Sequence, residues 1–436
     1  MTTPAASNPL RIALIGTRGA PAHYGGFETA VDEIGQRLAA KGHDVTVYCR
    51  NGNSGMRRDP KTYRGMTLVH LPAARRRVAE TLSHTLLSAA HTFRVPRYDA
   101  ALVCNAANAL ALPLLRLRGI PFAVHVDGLE WRRTKWGPVG RGYYRLAESL
   151  SVRWSDALVA DARGIEAYYW DEFGARTTGI AYGAPDCSDI GTHKLESLGL
   201  TPGGFHVVVA RFEPENHVDF MLEGYLRSKA RLPLVVVGSV PYATEHTHRI
   251  TELAARSDNI HLIGGVWDQE LLDQLYAGAL TYLHGHSVGG TNPSLLRAMG
   301  AGTATIAYDI VFNREVAGPY ATYAGSPGEV ADALDTAEAD VAGTMLRGRR
   351  LAGRAREKYD WDAVAERYEQ LFVSLAAGDS LRGLYTGRRA RRSPWRDGHT
   401  PVLHLAEESR RDAPIERAEP STEHATPEPA APRESE

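Results

Sequence analysis

Gly16-Thr17-Arg18-Gly19 and then Tyr24-Gly25-Gly26-Phe27-Glu28-Thr29 follow directly on an apolar run, residues 11 to 15, and lead into a helical pattern that ends near Leu38. A glycine-rich turn between a strand and a helix leaves backbone N–H groups free at the helix start, and glycines let an anion come close to them. The chemistry this suits is the binding of a phosphorylated ligand. The spacing excludes two common phosphate loops, because a dinucleotide fingerprint needs G-x-G-x-x-G and a P-loop needs Lys after its last glycine. The competing reading is a tight turn and nothing more.

A second stretch, from His284 to Gly300, repeats the plan: an apolar run ends at Leu283, glycines and small polar residues follow, and a helix starts near Pro293, whose missing N–H is harmless there. Gly289, Gly290, Thr291 and Asn292 can offer backbone donors to an anion. His284 and His286, two apart and without a nearby carboxylate or Cys, make a poor zinc motif, so no metal is expected. Arg211, after the run Val207-Val208-Val209, can clamp a diphosphate with its planar fork or form a structural ion pair with Glu213 or Glu215. His125, Asp127 and Glu130 follow another apolar run and are candidates for substrate hydroxyls or proton transfer.

These residues need strands and helices to hold them. Apolar runs at 11–15, 44–48, 67–71, 100–103, 121–126 and 156–160 alternate with amphipathic stretches, which predicts a doubly wound parallel sheet covered by helices. The pattern pauses and resumes at 207–209, 234–237, 261–263, 280–283 and 305–307 as a second α/β domain. The expected organisation is a flexible N-terminus over 1–9, a first Rossmann-like domain over 10–185, a linker over 186–204, and a second Rossmann-like domain over 205–360. A helix over 361–377 then packs on the body through Val364, Tyr368, Leu371 and Phe372, and a disordered tail occupies 378–436. Ligands in open α/β sheets sit beyond the carboxyl ends of the strands, so two such domains create a cleft lined by loops from both.

With 436 residues, 43% hydrophobic and 23% charged, the chain can bury two cores. A net charge of −1 lacks the basic excess that nucleic-acid binding needs. Cys49, Cys104 and Cys187 are widely spaced and odd in number, which points to a reducing compartment, the cytoplasm. Met1 to Pro9 is polar, unlike a signal peptide, and no run approaches the roughly 20 apolar residues of a membrane span. Arg75-Arg76-Arg77 and the leucine-bearing stretch Thr81 to Phe93 suit either a peripheral contact with a membrane or an ordinary surface helix. The arginine cluster from Arg388 to Arg392 reads as a solvated charge run, followed by a stretch rich in Glu, Pro, Ala and Ser with too little apolar surface to fold.

Together these pieces resemble the retaining GT-B glycosyltransferases of family 4, and more closely a bacterial subgroup of rhamnosyltransferases. The resemblance runs from about Arg11 to about Leu375. It is carried by G-T-R-G-x-P-x-x-Y-G-G-F-E-T from Gly16 to Thr29, D-G-L-E-W from Asp127 to Trp131 with Lys135-Trp136, R-x-E-P-E-N from Arg211 to Asn216, and H-G-H-S-V-G-G-T-N-P-S-L-L from His284 to Leu296. It implies transfer of a sugar from a nucleotide diphosphate donor (dTDP-rhamnose, or a UDP or GDP sugar) to a glycan or lipid-linked acceptor, with retention, no obligatory metal and no cofactor. The implied setting is cell-surface polysaccharide or glycolipid synthesis. Gly16, Arg18 and Gly19 would face the donor diphosphate together with Arg211, Gly290, Thr291 and Asn292. Tyr24, Gly25, Gly26, Asp127 and Glu130 would shape the acceptor side. His125 would match the family's His near the reacting sugar, as an orienting group, and Arg211 the Arg that stabilises the departing diphosphate. Two positions depart from the family. Gly289 and Arg297 stand where a Glu pair is usual, the second of which commonly holds the donor ribose, and Asn216 stands where many members have Lys on the diphosphate. Those departures leave open an alternative, a GT-B-shaped nucleotide-sugar-binding or scaffold protein without catalysis.

Overall fold

The computed structural model describes residues 8–22, 25–52, 59–74, 77–126, 128–133, 136–187, 190–239, 245–391, 393 and 395. Short runs of Val, Ile, Leu and Ala become strands, and those at the centre of each sheet are buried on both faces, as parallel sheets require. The first sheet contains β1 (Arg11–Ile15), β2 (Asp44–Arg50), β3 (Thr62–Tyr63), β4 (Met66–Leu71), β5 (Ala100–Cys104), β6 (Phe122–Val126), β7 (Ala157–Ala160) and β8 (Thr178–Gly179). Their spatial order is β3-β4-β2-β1-β5-β6-β7-β8, parallel except for β3 against β4. The second sheet contains β9 (His206–Val209), β10 (Leu234–Val237), β11 (Ile260–Gly264), β12 (Thr281–His284), β13 (Ala304–Tyr308) and β14 (Thr322–Ala324), in the order β11-β10-β9-β12-β13-β14.

Each sheet reverses its winding at its first strand. β1 lies between β2 and β5, and β9 between β10 and β12. Loops at the carboxyl ends of such strands splay apart and leave a crevice, which is where ligands of these folds bind. Both glycine-rich loops therefore stand at switch points, one per domain.

The helix Trp361–Ala376 returns to the first domain. Asp360 caps it by accepting from the Ala363 N–H at 2.9 Å, and Trp361, Val364, Tyr368, Leu371, Phe372 and Leu375 form one buried stripe at helical spacing. That stripe joins Ile12 and Leu14 of β1 and Val31, Ile34 and Leu38 of the helix Gly26–Ala40 in one cluster. No helix among the described residues is long and apolar enough to cross a membrane.

Packing continues past the point where the tail was expected to lose structure. The Leu381 N–H donates to the Asp156 carbonyl at 2.7 Å and the Ala390 N–H to the Glu172 carbonyl at 2.7 Å. The expectation of a wholly solvated arginine cluster fails at Arg389, which pairs with Glu148 and, at 2.8 Å, with Glu172. The reason is electrostatic: both carboxylates are buried on helices of the first domain and need a counter-charge. Trp395 is fully buried, with its indole N–H on Asp171 at 2.9 Å. Residues 396–436 lie outside the described residues.

Candidate functional site

The first wall of the crevice is built at the ends of β1 and β6. Gly16 leaves β1 at φ 100°, and a Cβ there would sit 2.5 Å from the Cys104 carbonyl oxygen. Gly19, at φ 108°, packs on Cys49, and its N–H is taken by Thr17 Oγ1 at 3.1 Å. The Arg18 N–H donates to Glu28 Oε1 at 3.1 Å. Gly25, at φ 105°, caps the helix Gly26–Ala40, and its carbonyl accepts from the Thr29 N–H at 3.1 Å and hydroxyl at 3.0 Å. Gly26 faces the other domain, where its Cβ would lie 3.1 Å from Pro293 Cγ. Tyr24, Asp127 and Lys135 lie outside the described residues.

His125 is buried near the end of β6 within an aromatic cage. Its ring lies 5.0 Å from Phe27 and 5.4 Å from Tyr182, and Nδ1 is 3.3 Å from the Tyr368 hydroxyl. Nε2 has no hydrogen-bond partner among the described residues. Burial lowers its pKa to about 3, so the ring is neutral at pH 7. A neutral imidazole can orient a hydroxyl but adds no positive charge to the site. Glu130 is also buried, with Oε1 accepting from the Trp136 indole N–H at 3.3 Å and Oε2 2.7 Å from Arg133 Nε.

The second wall is built at the ends of β9 and β12. The Arg211 side chain is exposed and, among the described residues, pairs with neither Glu213 nor Glu215. Its carbonyl accepts from Asn216 Nδ2 at 2.7 Å, while Asn216 Oδ1 lies 2.6 Å from His286 Nδ1. Asn216 thus stitches the β9 loop to the β12 loop. His284 Nδ1 lies 2.9 Å from the Tyr282 hydroxyl, and burial lowers this imidazole to about 3. Burial holds His286 well below its ordinary value, with Arg133 and Arg211 adding to the effect. His284 ends β12 and His286 lies in the loop after it, and the described residues hold no group of three or more His, Cys, Asp or Glu suited to a metal.

The helix Pro293–Gly300 is capped by Asn292, whose Oδ1 accepts from the Ser294 N–H at 2.9 Å. Arg297 on that helix pairs with Asp273 from the helix Gln269–Gly278. A carboxylate therefore stands beside Arg297. All three cysteines are buried, and burial pushes the Cys49 and Cys187 thiols up to about 12, which makes them poor nucleophiles.

The two walls meet. A Cβ on Gly128 would sit 2.8 Å from Gly289 Cα, Gly290 packs against the Asp161 carboxylate, and the Thr291 hydroxyl donates to the Asp161 carbonyl. Arg133 of the first domain reaches Glu215 of the second, Nη1 to Oε1, at 3.8 Å. Sequence reasoning did not single out Arg133, Asp161 or Asp273, and it gave no site contact to Gly128, read only as part of a motif, or to Tyr368, read only as a packing residue, because these contacts join distant parts of the chain.

Comparisons with known proteins fit this architecture. Residues 25–182 match the glycosyl transferase 4-like domain and residues 200–343 the glycosyl transferases group 1 domain. A comparison with curated protein sequences gives no match. Among solved structures, sucrose-phosphate synthase from Thermosynechococcus elongatus superposes with a TM-score of 0.71 at 20% identity, covering 84% of this chain and 99% of that one. HepE of Anabaena in complex with UDP and glucose gives 0.65 at 14% identity over 84% and 100% of the two chains. The UDP-forming α,α-trehalose-phosphate synthase of Burkholderia vietnamiensis gives 0.63 at 13% over 84% and 100%. Two parallel-sheet domains, the crevice between their switch points and a glycosyl transferase match on each domain lead to one conclusion: the chain belongs to the GT-B glycosyltransferases.

Proposed function

We propose that this glycosyltransferase moves a sugar, rhamnose in the first instance, from a nucleoside diphosphate to an acceptor hydroxyl with retention of configuration, in cell-surface polysaccharide or glycolipid assembly. The observation that carries the reading is Arg211. Its guanidinium is exposed at the switch point of the second sheet and is not consumed by the carboxylates two and four residues on. Breaking the sugar–phosphate bond puts charge on a leaving diphosphate, so the main requirement is preorganised positive potential there. The backbone of 290–292 at the start of the helix Pro293–Gly300 adds to that potential. The acceptor enters from the first domain, where His125 orients it and the leaving phosphate takes its proton. UDP in the HepE complex supports a nucleotide donor.

The test is thermal stability of the protein against dTDP, UDP and GDP sugars and the free diphosphates, because a ligand bound only by the native state raises the melting temperature. A selective shift with one nucleotide, lost in Arg211→Ala, is expected. No shift with any of them favours the alternative of a degenerate donor site, for which Arg297 and Asn216 are the observations.

The first domain also presents a face suited to an anionic lipid surface holding the acceptor. The helices Arg77–His91, Leu112–Leu117 and Pro138–Trp154 pack side by side, and they and the turns Thr92–Arg94 and Ala106–Ala111 leave Leu87, Phe93, Leu110, Leu117, Val139 and Leu146 exposed, in segments that also carry Arg94, Arg116, Arg141 and Arg145. The acidic side chains on these helices are committed, Glu80 to Arg50 and Glu148 to Arg389. Arg75 and Arg76 lie outside the described residues. Co-sedimentation with phosphatidylglycerol vesicles but not phosphatidylcholine vesicles, reduced by Leu117→Glu, is the expected result, and equal recovery with both sinks this part of the reading.

A further inference from the structure

The second wall is short of positive charge. Arg211 is the one arginine or lysine in the loops 210–217 and 284–292, and the buried His284 and the half-buried His286 are held neutral. Asn216, in the place of a familiar lysine, has its amide committed to Arg211 and His286. A nucleoside diphosphate carries more negative charge than one guanidinium offsets.

The first wall delivers another cation to the same spot. Arg133 follows the short turn Glu130–Arg132, and its guanidinium lies between Glu130, at 2.7 Å, and Glu215 of the opposite domain, at 3.8 Å. Glu215 is 5% exposed, and neither of its carboxylate oxygens accepts a hydrogen bond among the described residues. Its backbone carbonyl accepts from the Ser287 N–H at 2.9 Å, which ties this residue to the β12 loop. Arg133 is thus anchored by Glu130 and reaches the second wall through a Glu215 ion pair too long for a hydrogen bond. The neighbouring Arg132 points elsewhere, donating to the Trp395 carbonyl.

Resting on the nucleoside diphosphate reading above, we propose that Arg133 binds the donor diphosphate across the crevice and supplies the cation that Asn216 lacks. A guanidinium suits this exchange, since its planar fork can keep Nε on Glu130 and turn its terminal nitrogens from the longer Glu215 contact to a phosphate. When the anomeric C–O bond breaks, the electron pair goes to the diphosphate between Arg211 and Arg133. Because Arg133 belongs to the first domain, the leaving group meets both guanidiniums only when the walls meet at Gly128 and Gly289, which makes catalysis conditional on closure.

Calorimetric titration separates charge from structure. UDP, dTDP and GDP are titrated into the full-length protein, and the one that binds is compared with its nucleoside in Arg133→Gln and Arg133→Lys. Arg133→Gln should weaken diphosphate binding by about 10- to 100-fold and flatten its salt dependence, with nucleoside affinity changed less than about twofold. Arg133→Lys should recover most of the loss, and it keeps the test decisive should the Gln variant fold poorly. Unchanged diphosphate binding in Arg133→Gln, or equal losses for diphosphate and nucleoside, overturns the assignment. Failure of the unaltered protein to bind any of the three overturns the donor reading itself, and this inference with it.

Discussion

At the strand end of the first glycine-rich stretch, before Gly26 turns to the other domain, Gly16 packs on Cys104 and Gly19 on Cys49, both in the same sheet; in the second, Gly289 meets Gly128 and Gly290 meets Asp161, both from the opposite domain. The sequence pattern is the same in each case, a strand, small residues and a helix. The constraint behind the small residues differs. Close approach within one domain serves folding, whereas close approach between domains serves closure, so equivalent substitutions should separate stability from activity.

The larger effect is expected within the first domain. Gly16→Ala places a methyl 2.5 Å from a backbone oxygen at a positive φ, and backbone strain and overpacking together cost roughly 2–5 kcal/mol. Chemical denaturation should show that loss, and a change below about 1 kcal/mol would remove the own-domain side of the contrast. At the meeting of the walls, Gly128→Ala places its methyl 2.8 Å from Gly289 Cα and close to Ile165. Holding the domains apart misplaces donor against acceptor, and turnover should fall by about 10- to 100-fold. Nucleoside binding, which the proposed reading assigns to the second domain, should hold, and a parallel loss of both would show that Gly128 serves the fold instead.

The central strands were legible because buried parallel strands need unbroken runs of Val, Ile, Leu and Ala, and each predicted run became one. The strands Thr62–Tyr63, Thr178–Gly179 and Thr322–Ala324 were not, since two or three residues at a sheet edge carry no such run. The loops of the site were visible from their glycines. Their cross-crevice partners were not, because Arg133 with Glu215 or His125 with Tyr368 are brought together by the fold and leave no local signal. One signal was available and went unused. In the helix Pro138–Trp154, Glu148 shares the buried stripe of Ala147, Ser151 and Val152, and a carboxylate on such a stripe requires a cation from elsewhere. Arg389 meets that requirement, which composition alone assigned to solvent.

Polarity, unlike glycine contacts, does not distinguish the two walls, and acid should reveal the likeness. His125 in the first wall and His284 in the second are both held to about 3 by burial, against an ordinary value of 6.5. The unfolded chain therefore takes up a proton on each ring at a pH where the native state does not. Stability from these groups is fully present above pH 6.5 and is lost as pH falls from there towards 3. By pH 5.5, one unit below the unfolded value, each ring should have removed about 1.4 kcal/mol. His125→Gln and His284→Gln should each flatten the pH dependence of unfolding by that amount, whatever they do to stability at pH 7.5. If only one of them does, the walls differ in polarity as well as in contact, and the contrast drawn from the glycines is too narrow.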